Sequence, residues 1–117
     1  MTYVTGMVAA VPAANKQKYI EASKTFDTVL KDRGATRVVE CWGRDVPDGK
    51  LTSFPMAVKA EPGEEIVFSW VEWPSKEVAD AAMAAMREEP AFGPDGDPMP
   101  FDGKRLIYGG FEVILEL

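Results

Sequence analysis

Ile66-Val-Phe-Ser-Trp-Val-Glu-Trp73 is the most strand-like run in the chain, and the architecture follows from how it must be covered. Side chains alternate faces along a strand, so Ile66, Phe68 and Trp70 share one side and Val67, Val71 and Trp73 the other. Both sides are apolar, as in sheets buried on both faces. Downstream, Pro74 stops the run and Ser75 is placed to cap a helix over Lys76 to Glu89, with Glu77 near the positive end of its dipole. Val78, Ala82, Ala85 and Met86 give that helix a thin stripe of small residues, so it can lie close to the sheet. Upstream, two turn signatures, Val46-Pro-Asp-Gly-Lys50 and Glu61-Pro-Gly-Glu64, bracket a segment, 51–60, that reads as a short helix or else as an extra strand.

The other elements fall into place around this run. Thr36 to Gly43 is a strand by its valines and Trp42, with Glu40 embedded in it. From Asn15 to Arg33, apolar residues at Tyr19, Ala22, Phe26, Val29 and Leu30 form one helical stripe, Lys24, Asp27 and Lys31 fall on the wet side, and Gly34 caps the end. Tyr3 to Val11 reads as a buried strand, with Gly6 marking a bulge or a close backbone approach. Pro90 to Lys104 holds four prolines, three glycines and three aspartates and is a loop by composition. Asp95-Gly-Asp97 does not make a calcium loop, because Met99 and Phe101 occupy positions that need oxygen ligands. The last strand, Arg105 to Leu115, is again apolar at both parities: Ile107, Phe111 and Val113 against Leu106, Tyr108 and Ile114.

The order β-α-β-β-α-β is that of a ferredoxin-like α+β domain with an antiparallel sheet, spanning 1–117 as one unit. Two helices cover one face only. The other apolar face needs a partner, and a second copy of the chain supplies it most simply, two sheets facing each other as a dimeric α/β barrel.

Composition narrows the chemistry. The complete absence of histidine removes the usual general base near neutral pH, the Ser-His and Cys-His pairings, the haem histidine and most zinc sites. Net charge is −6, and residues 61–117 carry four Lys/Arg against thirteen Asp/Glu. With no run of cations longer than two, nucleic acid is not an expected partner. No apolar run approaches the ~20 residues of a membrane helix, and the first residues lack the basic region of a signal peptide. With a single cysteine, Cys41, this implies a cytoplasmic protein without disulfides.

Val39-Glu-Cys-Trp42, Ala57-Val-Lys-Ala60, Phe68-Ser-Trp70, Trp73-Pro-Ser-Lys-Glu77, Met99-Pro-Phe-Asp-Gly-Lys-Arg105 and Tyr108-Gly-Gly-Phe-Glu112 together resemble the YbaA-like family of small bacterial proteins, a domain family of unknown function. The resemblance runs along nearly the whole chain. It implies a dimeric α/β barrel and brings no activity with it, so no catalytic residue is carried over.

Glu40 and Glu72 each sit in an apolar strand at the parity of a tryptophan, Trp42 and Trp70 respectively. If those faces look into the barrel, burial against indole raises the carboxyl pKa and suits either residue to acid or base work. The plainer role is a pair with a cation such as Arg37 or Arg105. Trp42, Trp70 and Tyr108 also suit the walls of an apolar ligand cavity. Lys104 and Arg105 suit an anion clamp at the barrel mouth, unless Asp102 only satisfies its own turn and Arg105 pairs with an acid of the partner chain. Gly109-Gly110 is too short for a phosphate loop and marks a bulge or a close approach, most simply by the partner subunit. Cys41, without a histidine to activate it, behaves as a small hydrophobe.

Three functional readings follow. The first is a homodimeric barrel that binds a small apolar or aromatic metabolite, with an anionic group accommodated by the two cations. The alternative is a non-catalytic dimerisation or regulatory module whose barrel is filled by its own side chains. By fold analogy alone, a cofactor-free monooxygenase or isomerase with Glu40 or Glu72 as base is a third. No cofactor or metal is expected in any of them.

Overall fold

The computed structural model describes residues 2–89 and 99–117. Of the expected loop from Pro90 to Lys104, residues 90–98, and with them Asp95-Gly-Asp97, lie outside the described residues. In chain order the elements are β1 (Tyr3–Pro12), α1 (Lys16–Asp32), β2 (Arg37–Trp42), α2 (Phe54–Ala57), β3 (Glu64–Trp73), α3 (Lys76–Glu88) and β4 (Ile107–Glu112), with single 3₁₀ turns at Ala13–Asn15 and Gly103–Arg105. The strands form one sheet in the order β2-β3-β1-β4, every neighbouring pair antiparallel. This is the ferredoxin-like arrangement, and the segment 51–60 contributes the short helix α2 and no extra strand.

The run that begins at Glu64 divides the molecule into two sides. Val67, Ser69 and Trp73 face the helices and are buried, and Trp73 is fully enclosed. Leu30 of α1 and Ala79, Ala82 and Met86 of α3 pack with Trp73, and Tyr19 packs with Ala9, Val11 and Val67. Burying side chains of this size contributes about 1.5–3 kcal/mol each. The indole N–H of Trp73 is not left unpaired; it donates to Thr5 Oγ1 at 3.1 Å. Ser75 caps α3 as its position implies, its Oγ accepting from the Val78 N–H at 3.2 Å. Gly34 ends α1 at φ 112, where a side chain would meet a Val78 methyl at 2.7 Å, so both backbone and space demand glycine.

On the other side, Val58 from the segment after α2 packs on Val8, Ala10 and Ile66 and covers one end of the sheet. The remainder of that face is open. Phe68 is 43% exposed, Ile107 44% and Phe111 60%.

Three expectations change. Gly6 is no bulge: β1 pairs without interruption through it with Trp70 on one side and Gly109 on the other. Instead the Phe111 ring lies across both glycines, at 3.5 Å and 3.4 Å from where their Cβ atoms would stand. Gly110 is demanded by the Tyr3 hydroxyl, which occupies the place of a Cβ there. The close approach at the glycine pair is therefore made by this chain's own aromatic rings. Finally, β4 is shorter than Arg105 to Leu115, because a 3₁₀ turn takes up Arg105 and pairing beyond Glu112 continues only through the Val113 N–H to Thr2 O. β4 is an edge strand whose Tyr108 is 75% exposed, so within one chain it is not buried on both faces.

Candidate functional site

The open face carries an apolar groove of about 270 Å³, lined by Cys41, Trp42, Gly43, Val46, Phe54, Ile66 and Phe68. Two features of the sequence make it. β2 and β3 place Cys41 and Phe68 opposite each other on the same face. Ser53 then caps α2 by accepting from the Met56 N–H, which sets Phe54 edge-on to Phe68 with ring centroids 6.1 Å apart. Trp70 continues the aromatic row, 5.8 Å from Phe68. Of the three aromatics expected to wall a cavity, Trp42 lines the groove, Trp70 stands beside it, and Tyr108 is on β4 at the far edge, directed to the opposite face. Trp42 touches both sides of the sheet edge: its ring also packs on Tyr19 and lies 5.6 Å from Lys16 Nζ.

Glu40 and Glu72 do not meet. Glu72 is on the open face, where it accepts from the Trp70 indole N–H at 2.9 Å and has the Arg37 guanidinium at 3.6 Å across the strand pair. Glu40 sits with Val38 and Trp42 on the helix-covered face. It accepts from the Tyr19 hydroxyl at 2.6 Å. Asp27, expected on the wet side of α1, is half-buried and hydrogen-bonded to Glu40. Burial, followed by the hydrogen bond to Glu40 and its charge, pushes the Asp27 carboxyl up to about 8. Burial and the same Glu40 contact drive the Tyr19 hydroxyl far above the usual phenol range, so it stays a donor. Tyr19, Asp27 and Glu40 thus form a proton-sharing cluster under α1. The one signal for it in the sequence is the eight-residue interval from Tyr19 to Asp27, which puts both on one helical stripe. A shallow surface groove of about 340 Å³ beside the cluster is lined by Lys24, Asp27, Thr28, Lys31, Thr36, Arg37 and Val38.

Arg105 is engaged within its own chain. Its guanidinium forks onto Glu64, with Nη1 and Nη2 at 2.7 and 2.8 Å from the two carboxylate oxygens. Nε donates to Asp102 at 3.0 Å and Nη1 also to the Lys59 carbonyl at 2.9 Å. Lys59 has φ 50, so the arginine secures a turn in the left-handed region. Glu64, and then Asp102, raise the Arg105 pKa further above its ordinary value, and Arg105 in turn holds Glu64 low. Asp102 also accepts from the Lys104 backbone N–H, the first cause of its lowered pKa. Arg105 therefore joins the start of β3 to the turn before β4 and has no free fork to offer an anion; the neighbouring Lys104 is exposed. Among the described residues no cluster of three metal-binding side chains occurs, and no helix is long and apolar enough to cross a membrane.

Comparison with solved structures places the fold beside a dimeric ferredoxin-like protein from an uncultured marine organism, with a TM-score of 0.62 over 99% of this chain and 98% of that one at 11% identity. In sequence, the chain is 57% identical over 116 residues to the uncharacterized protein YbaA of Escherichia coli K12, covering 99% of each. The YbaA of Shigella flexneri matches equally well. A family model described as a protein of unknown function, DUF1428, matches residues 2–103. On the strength of the family model and the full-length identity, the chain belongs to the DUF1428 family of proteins of unknown function.

Proposed function

We propose that the protein is a homodimer whose two open sheet faces pack on each other as an α/β barrel, and that each chain holds a small apolar or aromatic molecule in the groove bounded by Cys41, Phe54 and Phe68. The observation that carries this reading is the groove itself: about 270 Å³ of concave, aromatic-lined surface on a face that one chain leaves uncovered. Exposed Phe68, Ile107 and Phe111 on that face supply the apolar area a stable dimer buries. The neighbouring fold described as dimeric supports the same assembly. An anionic group on the ligand finds no clamp in Arg105, so recognition rests on ring packing.

Size-exclusion chromatography with light scattering tests the assembly, and the expected mass is twice the 12.8 kDa of the chain. Native mass spectrometry of the purified protein, with a fluorescent apolar probe titrated into it, tests the groove. Phe68→Ala is expected to weaken the probe at least about tenfold, since it removes an aromatic wall. Unchanged probe affinity in that variant refutes the groove as the binding site.

A further inference from the structure

The groove is open along one side, and the segment after β4 is apolar and unburied: Ile114 is 90% exposed and Leu115 74%. These two features lie at diagonally opposite corners of one sheet. β4 ends at Glu112, level with Tyr3 of β1, on the outer edge of the sheet. The groove is at the other outer edge, where Cys41 and Phe68 lie level with Val8 of β1. With strands ~4.8 Å apart and ~3.3 Å per residue along them, three strand spacings and five residues separate the corners by roughly 22 Å. Four residues beyond Val113 reach at most about 14 Å. The segment cannot fill the groove of its own chain.

We infer that residues 113–117 of one chain lie over the groove of its partner, so that the groove's missing wall comes from the second copy and the site is incomplete in one chain. The inference rests on the dimer proposed above. A two-fold axis between facing sheets, directed along the other diagonal, exchanges the two corners and brings each segment onto the opposite groove. The sheets then cross near a right angle, one of the two established modes of sheet packing. The chain is a plate of 39 × 38 × 20 Å, nearly square, so such a turn keeps the two plates superposed. Ile114 and Leu115 have the chemistry of the groove lining, and the contact is reciprocal, which closes the assembly at two chains.

Cys41, the single cysteine, lines the groove and provides the test. In Leu115→Cys under mild oxidation with diamide, a disulfide between Cys41 and the new thiol of the other chain is expected, seen as a band of twice the chain mass on a non-reducing gel. The wild type should give no such band, because the two grooves occupy opposite corners of the dimer. Cys41→Ser combined with Leu115→Cys should abolish it. A wild type of single-chain mass overturns the dimer itself. A dimeric Leu115→Cys that fails to crosslink, or one that still crosslinks without Cys41, leaves the dimer standing and overturns the placement of the segment. As a second measurement independent of the thiol, Leu115→Asp is expected to weaken the apolar probe or the dimer at least about tenfold, and an effect on neither overturns the inference.

Discussion

Replacing Asp27 with Asn should remove a loss of stability that the wild type suffers as pH rises from about 4 to about 8. The ordinary aspartate value is 3.8, and in the folded chain burial and Glu40 lift it to about 8. A folded value above the unfolded one means that the native state binds the proton more tightly. The stability this provides is fully present below the unfolded value and is lost as pH rises through the folded one. Between about pH 4 and pH 8 the wild type therefore loses stability on this account. Each pKa unit corresponds to about 1.4 kcal/mol. Asp27 borders a solvent groove, and water there screens the carboxyl pair, so about 2 kcal/mol is the expected loss rather than the full figure. Asn offers Glu40 an N–H in place of the shared proton and does not titrate. Asp27→Asn should match the wild type near pH 5 and exceed it by about 2 kcal/mol at pH 9. Urea unfolding followed by tryptophan fluorescence, at one protein concentration and at pH 5, 7 and 9, measures this. Lys24 and Lys31 line the same groove and Arg37 begins the adjacent strand, but they are common to both proteins and cancel in the difference. Parallel pH profiles for the two proteins would refute the shared proton.

Ser75→Ala removes the oxygen that accepts from the Val78 N–H, and a loss of about 1 kcal/mol with an unchanged denaturant slope is expected in urea titration. Gly110→Ala drives a methyl into the Tyr3 hydroxyl; a cost of about 1–3 kcal/mol is expected, and it should shrink markedly when measured in a Tyr3→Ala background. Arg105→Lys keeps the charge but cannot reach both Glu64 oxygens, Asp102 and the Lys59 carbonyl together. Its thermal midpoint should fall clearly further than that of Lys104→Ala, and equal midpoints would show that the fork is dispensable.

The fold was legible because its determinants are local and repeated. Apolar residues at both parities of 66–73, the spacing Tyr19-Phe26-Leu30, Ser75 before a helical stripe and Gly34 after one each act over a few residues, and all agree on one arrangement. The site was less legible because its pairs are tertiary. Its charge points Asp27 to water, and only the crossing of α1 over β2 brings it to Glu40. From sequence, Arg105 reads as an anion clamp or as the partner of an acid in a second chain, because the apolar run of β3 starts at Ile66; hydrophobic periodicity does not register a polar strand end, and Glu64, the acid that takes the guanidinium, is the strand's first residue. The glycine pair pointed correctly to a close approach, but periodicity cannot tell whether Tyr3 and Phe111 or another chain fills the space.

The carboxyl cluster and the aromatic groove belong to different faces of the sheet. The carboxyl group with a raised pKa and its partner lie between α1 and β2, on the covered face. The aromatic groove opens on the opposite face, and only at the sheet edge do the two meet, where Trp42 lines the groove and also packs on Tyr19. On the groove's own side, Glu72 is four residues along β3 from Phe68, roughly 13 Å, and is already engaged by Trp70 and Arg37. Glu64, at the same parity of β3, is clamped by Arg105. The groove is lined by rings, a thiol and aliphatic side chains, and the chain has no histidine. On the reading proposed above, ring packing is what the groove offers a bound molecule, and the question that reading poses is which molecule two facing chains would enclose.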